Sequence, residues 1–322
     1  QSANNTFECL WEYTLAYSRT LGNHRLDFVG GISAQENTFR QIGGQGNNLN
    51  SDVLRDLRSL PSLSNVYGNQ VTTSLESQFA RLNYGYMDKY LVTATVRRDG
   101  SSKFAPGHQY GTFPSGAVKW SAKQESFLQD VSWLSDLAFR GSYGEVGNQG
   151  SIAPFQFLAL YAAGSAATTA PNYGYTFGVP KAYNPGIYST QPANPNLKWE
   201  TDRMTDAGID ASFLNGDIRL TADWYQRNSD NFLLTLAAPA QSGYSFLTRN
   251  VGSMVNKGLE LALGYGHHTN KDFNWDANLT FSTVYNRLTS ITSGTTNVTN
   301  FGNPSLALPA MLGWTTFSET HI

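Results

Sequence analysis

The feature that most constrains this chain is an alternation of apolar and polar side chains that recurs along its length in segments of about ten residues. Asp217-Ile218-Arg219-Leu220-Thr221-Ala222-Asp223-Trp224-Tyr225 shows it cleanly. Successive side chains of a strand point to opposite faces. Ile218, Leu220, Ala222 and Trp224 therefore share one face, and Asp217, Arg219, Thr221 and Asp223 share the other. A chain built of such segments must make an antiparallel sheet with one oily and one wet face.

The connections between segments are sorted by length. Alternating segments at 7–19 and 25–39 flank the tight turn Leu21-Gly22-Asn23-His24. A Gly-, Asn- and Ser-rich excursion at 40–69 follows, with a short helix expected at 52–60. Segments at 71–86 and 89–97 flank Met87-Asp88, and a loop covers 99–110. Segments at 113–121 and 137–143 flank a connector, 124–136, with an expected helical turn. The longest loop runs over 147–196, a length that in a compact domain usually signals function. The apolar stretch at 155–167 inside it is broken by Gln156, Gly164 and Ser165 and reads as loop. Segments at 198–213 and 218–236 flank Leu214-Asn215-Gly216-Asp217, and a further loop reaches Arg249. Segments at 251–265 and 273–285 flank Thr269-Asn270-Lys271-Asp272. Every second connection is short. Short turns on one side and long loops on the other characterise outer-membrane barrels, whereas a sandwich has no reason to sort its connections in this way. The expected fold is thus all-β: a segment of about ten strands of an antiparallel transmembrane β-barrel.

The composition agrees. Charged residues make up 14% and aromatic residues 13%, including 17 Tyr and 18 Phe; soluble domains carry roughly 25% charge. A net charge of -2 gives no nucleic-acid footprint. No apolar run approaches the roughly 18 residues of a membrane-spanning helix. Rings gather as Trp11 and Tyr13, as Tyr84, Tyr86 and Tyr90, as Trp224 and Tyr225, and as Phe273 and Trp275, which would form girdles at the two membrane interfaces. Charges at Arg140, Asp210, Arg219, Asp223 and Glu260 fall mid-strand on the opposite face. A charge at the lipid midplane costs about 2–4 kcal/mol, so these side chains are expected to face a watery lumen or a plug.

Catalytic and metal-binding constellations are not expected. Cys9 is the single cysteine and shares a face with Trp11 and Tyr13, as a buried or lipid-facing thiol would. His267 and His268 are adjacent on a strand and point apart. Glu8 and Glu12 share a face without the marks of an acid/base pair, Gly43-Gly44-Gln45-Gly46 lacks a phosphate-binding lysine, and no cofactor is implied.

Several motifs resemble one family. Lys89-Tyr90-Leu91-Val92-Thr93-Ala94-Thr95-Val96-Arg97-Arg98-Asp99-Gly100-Ser101-Ser102-Lys103-Phe104 is similar to a hallmark of the SusC/RagA family, the TonB-linked outer-membrane transporters of Bacteroidetes. Tyr110-Gly111-Thr112-Phe113-Pro114-Ser115, Leu134-Ser135-Asp136-Leu137, Arg140-Gly141-Ser142-Tyr143-Gly144, Gly147-Asn148-Gln149, Asn194-Pro195-Asn196-Leu197-Lys198-Trp199-Glu200-Thr201 and Asn250-Val251-Gly252-Ser253-Met254-Val255-Asn256-Lys257-Gly258-Leu259-Glu260 follow in the family's order. The resemblance covers about 7–290, and the stretch after about Thr299 departs from it. Physically, Asp99-Gly100-Ser101-Ser102 suits a turn, and Gly252 and Gly258 suit bulges or bends; these are scaffold roles.

The resemblance implies that residues 1–322 are part of a plugged barrel of about 22 strands, with the plug and the remaining strands outside this chain. It further implies TonB-dependent active import of oligosaccharides or peptides, a TonB complex acting through the N-terminal portion, a SusD-like surface lipoprotein, a lipid bilayer around the barrel and no enzymatic activity. Tyr173, Tyr175, Tyr183 and Tyr188 in the long loop are expected candidates for substrate contact, since rings stack on sugars. Two rivals remain at this point: a passive porin, and a soluble secreted glycan-binding or glycan-cleaving sandwich, the cleaving form of which would need a carboxylate pair in a cleft.

Overall fold

The computed structural model describes residues 2–47, 62–163, 174–177, 182–238, 240–244, 246–270 and 273–290. Its strands, in chain order, are β1 (Ser2–Leu21), β2 (His24–Asn47), β3 (Ser62–Tyr86), β4 (Tyr90–Ser101), β5 (Tyr110–Ser121), β6 (Leu134–Asn148), β7 (Leu160–Ala163), β8 (Gly174–Phe177), β9 (Ala182–Pro185), β10 (Ile187–Gln191), β11 (Glu200–Phe213), β12 (Ile218–Asp230), β13 (Leu233–Ala237), β14 (Phe246–Asn250), β15 (Ser253–Asn270) and β16 (Phe273–Ser290). Ten of them form one sheet in the order β1-β2-β3-β4-β5-β6-β11-β12-β15-β16, each antiparallel to the next. The other six make three small hairpins, β7 with β10, β8 with β9, and β13 with β14. No described helix is long and apolar enough to cross a membrane.

The short connections follow from residues that accept a left-handed backbone. Gly22 (φ 56°) lies in the two-residue link between β1 and β2. Met87 (φ 52°) and Asp88 (φ 55°) turn β3 into β4, the pair of positive φ angles that matches the twist of a hairpin. Leu214 (φ 53°), Asn215 (φ 61°) and Gly216 (φ 93°) turn β11 into β12. The link from β5 to β6 contains a single helical turn, Ser126–Gln129, as its sequence leads one to expect. These links lie along one edge of the sheet and the long connections along the other.

The strands are longer than the alternation alone suggests. β2 and β3 extend through Gly-, Asn- and Ser-rich sequence that reads as loop, because ladder hydrogen bonds need backbone geometry rather than strand propensity. The expected helix at 52–60 lies outside the described residues. The single segment at 218–236 is in fact two strands: β12 ends at Asp230, Asn231 adopts φ 61°, and β13 turns off into its own hairpin. The 147–196 loop is likewise not structureless, since β7–β10 lie within it; part of the stretch that reads as loop at 155–167 is β7. Asp99, Gly100 and Ser101 end strand β4 rather than forming a turn. Gly258 sits in unbroken register with Tyr225 and Val284, not in a bulge. A Cβ on it would lie 2.1 Å from the Thr283 carbonyl oxygen, so close approach of neighbouring backbone is what requires glycine there.

Cross-strand register assigns the faces. Val92, Val118, Gly141, Ala207, Trp224 and Leu259 form one continuous row, with Tyr84 and Leu26 beyond them. Val92, Val118, Leu259, Leu261 and Leu263 are all strongly exposed on that face. The opposite face carries the charges. The buried core is accordingly small and lies at the long-loop end, where Phe104, Phe113, Ile152, Leu197 and Trp199 pack together with Leu75 and Leu233 against them. A sheet with an exposed oily face and little core of its own is not a sandwich.

Candidate functional site

The apolar face is banded. At the short-turn edge a belt of rings runs across the sheet: His24 with Tyr86 (4.9 Å between centroids), Tyr86 with Tyr90 (6.4 Å), Trp120 with Phe139 (5.5 Å), Trp133 with Phe213 (5.8 Å) and Tyr265 with Trp275 (5.0 Å). Above it on β4 come Val92, Ala94 and Val96, and above them Arg98, whose guanidinium lies 4.5 Å from the Tyr110 ring centroid. On β15, Leu263, Leu261 and Leu259 are followed by Lys257 in the same way. Trp224 is mid-strand rather than at an end, and its neighbour Tyr225 faces the charged side, over Gly258; that pair is not part of a girdle. Cys9 is half-buried on the apolar face of β1, as a free thiol.

At the turn edge, Glu125 collects three donors: the Tyr90 hydroxyl (2.6 Å), the Trp120 indole N–H (3.3 Å) and Lys89 Nζ (3.3 Å). The Tyr90 hydrogen bond, helped by the other two, holds the Glu125 carboxyl below the usual carboxylate range. This knot ties the connector to the belt.

The charged face centres on Arg140. Its Nε donates to Asp210 Oδ2 at 2.6 Å and its Nη2 reaches Asp210 Oδ1 at 3.2 Å. The same Nη2 lies 2.9 Å from Asp223 Oδ1, two strands away. Register puts Gly208 directly between Arg140 and Asp223. A Cβ on Gly208 would lie 2.1 Å from Asp223 Oδ1 and 3.0 Å from Arg140 Nη2, so the missing side chain is the channel through which the ion pair crosses β11. Thr221 donates its hydroxyl to Asp210 at 3.1 Å. Of the five expected lumenal residues, the fold thus joins Arg140, Asp210 and Asp223. Glu260 stands opposite Asp223 on β15, and Arg219 approaches Asp276 at 3.8 Å. Towards the loop end, Arg227 and Ser229 both donate to the buried Asp202, a cluster that sequence reasoning did not single out.

Parts of several family-like motifs meet at the long-loop end. Phe104 stacks on Trp199 (4.8 Å) and Phe113 meets it edge-on (5.7 Å), while the Trp199 indole N–H donates to the Gln109 carbonyl at 3.1 Å. A Cβ on Gly147 would fall 2.0 Å from the Phe113 ring. Arg97 donates to Asp99 at 2.8 Å and to Ser77 at 2.9 Å. Gly100 has the Tyr110 ring 2.4 Å from where its Cβ would stand, which explains a glycine at the end of a strand. Asn250 accepts the Lys198 backbone N–H and returns its own amide N–H to the Lys198 carbonyl, both at 2.8 Å. Asn194 and Gln156 each donate to Thr248 at 2.8 Å, the first to its carbonyl and the second to its hydroxyl. Described residues of two connections distant in sequence, within 149–199 and 231–252, are thereby tied together, and a cleft of about 650 Å³ lies between them, lined by Asn194, Lys198, Asn231, Thr248, Arg249 and Asn250 among others.

Of the four loop tyrosines, Tyr175 and Tyr183 lie on the paired strands β8 and β9. Tyr173 lies outside the described residues. Tyr175 is on β8, Tyr183 on β9 and Tyr188 on β10, where Tyr188 pairs with Ala162. Among the described residues no group of three or more His, Cys, Asp or Glu is placed to hold a metal ion.

Comparison with known proteins agrees with this architecture. The family model described as TonB dependent receptor-like, beta-barrel, matches residues 2–319. TonB-dependent receptor P3 of Formosa agariphila is 33% identical over 294 residues, covering 90% of this chain and 28% of that protein. TonB-dependent receptor SusC of Bacteroides thetaiotaomicron is 33% identical over 297 residues, covering 88% of this chain and 28% of that protein. The solved structure of the RagAB peptide importer in its closed-closed state superposes with a TM-score of 0.79 at 26% identity, over 91% of this chain and 31% of that one. The chain spans less than a third of the length of each. A banded apolar face, a charged face crossed by ion pairs, hairpin links sorted by length and a family match over nearly every residue converge: this chain belongs to the TonB-dependent receptor β-barrel family of the outer membrane.

Proposed function

We propose that residues 1–322 form about ten strands of a larger plugged barrel and that the intact protein performs TonB-dependent active import of oligosaccharides or peptides together with a SusD-like surface lipoprotein. The observation that carries this is the sheet itself. The outer sides of its edge strands, β1 and β16, meet no partner strand among the described residues, and its apolar face is exposed across the sheet. Further strands and lipid are what such a sheet needs. The charged face then lines the lumen, where Arg140, Asp210, Asp223, Arg219 and Glu260 meet water or a plug that lies outside this chain. The relatives support the partner and the substrate class by likeness: one is named SusC, and another is titled a peptide importer. The relatives are named receptors and an importer, which supports transport rather than catalysis as the protein's work. The loop layer over 147–196, with Tyr173, Tyr175, Tyr183 and Tyr188, is where substrate and lid would be met.

The test is purification of the full-length protein from outer membranes in mild detergent, followed by identification of what accompanies it and by uptake assays in energised cells. A stoichiometric lipoprotein and uptake abolished by collapsing the proton gradient are the expected results. A lone barrel with uptake indifferent to the gradient would indicate a passive porin, and recovery in the soluble fraction would end the membrane reading.

A further inference from the structure

We infer that the open edge of β3 above the shorter β4 captures an extended peptide segment by strand addition. This rests on the importer reading above and selects peptide from its two substrate classes. β3 pairs with β2 over Ser62–Tyr86 but with β4 only from Leu75 onward, opposite Ser101. The stretch before Leu75 therefore has one side of its backbone free of any described strand.

The direction of that free side can be worked out. The Ser74 N–H donates to Ser102 Oγ at 2.8 Å, and the Ser74 carbonyl accepts the Ser102 N–H at 3.0 Å. Both backbone groups of Ser74 thus point away from β2, towards the β4 side. In a strand the residues i and i±2 direct their N–H and C=O to the same side. Thr72, Gln70, Gly68 and Val66 therefore also present donor and acceptor to the open side, spaced by two residues or roughly 6.6 Å. Ser102 already makes the first rung of an added strand, and then the chain turns away.

An open edge is an aggregation hazard that proteins ordinarily blunt with charge, proline or a bulge. Here none of those is present from Val66 to Leu75: the side chains are Val66, Tyr67, Gly68, Gln70, Val71, Thr72 and their polar neighbours, without one charge or proline. Val66 is 66% exposed and Tyr67 40%, so nothing described covers them. The edge lies on the long-connection side of the sheet, opposite the Gly22-Asn23 turn, which is the extracellular side in this family's orientation. Uncharged flanking side chains and a ladder of backbone groups suit an uncharged peptide of about six or seven residues, held by its main chain and hence tolerant of sequence. A sugar does not repeat donor and acceptor at this spacing.

The experiment uses the full-length transporter in detergent micelles and a fluorescein-labelled peptide of alternating threonine and glutamine, seven residues long, read by anisotropy. Gln70→Pro removes one open-side N–H without touching the β2 ladder, and is expected to weaken binding about tenfold. Gln70→Ala keeps that N–H and is expected to bind as the parent does. The same peptide N-methylated at every residue, which leaves no N–H on either edge, is expected to lose binding on the unaltered protein, which keeps the test valid if Gln70→Pro fails to fold. No binding by the parent, equal binding of the methylated peptide, or equal loss in Gln70→Ala would each overturn the inference, as would a parent that is oligomeric through this edge and turns monomeric in Gln70→Pro. Gradient-dependent uptake, measured separately, distinguishes the two readings: intact uptake with no peptide at the edge overturns this inference alone, whereas peptide binding without energised uptake overturns the importer reading.

Discussion

Replacing Gly208 by alanine should break the ion pair that crosses β11. The added methyl would stand 2.1 Å from Asp223 Oδ1 and 3.0 Å from Arg140 Nη2, well inside contact distance. Either Asp223 must swing away from Arg140 or the strands must part. Arg140 Nη2 donates to Asp223 Oδ2 at 3.2 Å and lies 2.9 Å from Oδ1, with the side chains 33% and 19% exposed. A charge-assisted hydrogen bond contributes about 1.5–3 kcal/mol when shielded, and this one is partly screened by solvent, so about 1–2 kcal/mol is at stake. The Arg140 Nε–Asp210 bond does not use the shared Nη2 and should survive, which caps the loss. The assay is a double-mutant cycle on the full-length barrel refolded in vesicles, with stability taken from urea titration: Gly208→Ala, Asp223→Ala and the pair. Asp223→Ala removes both the ion pair and the object of the clash. Adding Gly208→Ala to it should then cost little, leaving an interaction energy of about 1 kcal/mol or more between the two sites. Additive costs, or a neutral Gly208→Ala in the parent, would refute the claim that glycine is there to let the charges meet.

Three further outcomes are expected. Leu261→Arg on the apolar face should destabilise the barrel in vesicles by about 2–4 kcal/mol, whereas Thr93→Arg on the charged face should cost far less; equal costs would overturn the assignment of faces. Trp199→Ala should remove the keystone of the loop-end core, at about 3–5 kcal/mol locally, and limited proteolysis should then cut within 149–199 sooner than in the parent; an unchanged cutting pattern would contradict the packing of Phe104 and Phe113 on that ring. Glu125 has a carboxyl pKa lowered in the folded state, so its contribution is complete above the ordinary carboxylate range and disappears as pH falls through the lowered value. The stability difference between the parent and Glu125→Gln should therefore shrink towards zero on acidification, and a difference that grows as pH falls would contradict the Tyr90 hydrogen bond as its cause.

What could be read from the sequence and what could not divide along a physical line. Alternation with period two is a local property, and a slip of one residue would turn a whole strand inside out. That is why the placement of Arg140, Asp210 and Asp223 on one face, and of Leu220, Ala222 and Trp224 on the other, needed no coordinates. Strand ends are different. Gly43 and Gly68 belong to a loop by composition, yet each lies in a paired strand, because the neighbour supplies the hydrogen bonds and, at Gly43, the Tyr67 ring packs where a side chain would be. Register between strands is also non-local: nothing in the order of residues says that Gly208 falls between Arg140 and Asp223, so its role stays hidden until the pairing is known. The same holds for Asn250 and Lys198, and for Phe104 and Trp199. Their motifs stand out in the sequence as separate marks of a family, and only the fold turns them into contacts. Recognition of the family therefore rests in part on residues that hold the loop end together. The edge inferred to take a peptide, Val66 to Thr72, carries no such mark in its sequence, since a backbone ladder asks nothing of side chains except that they stay out of the way.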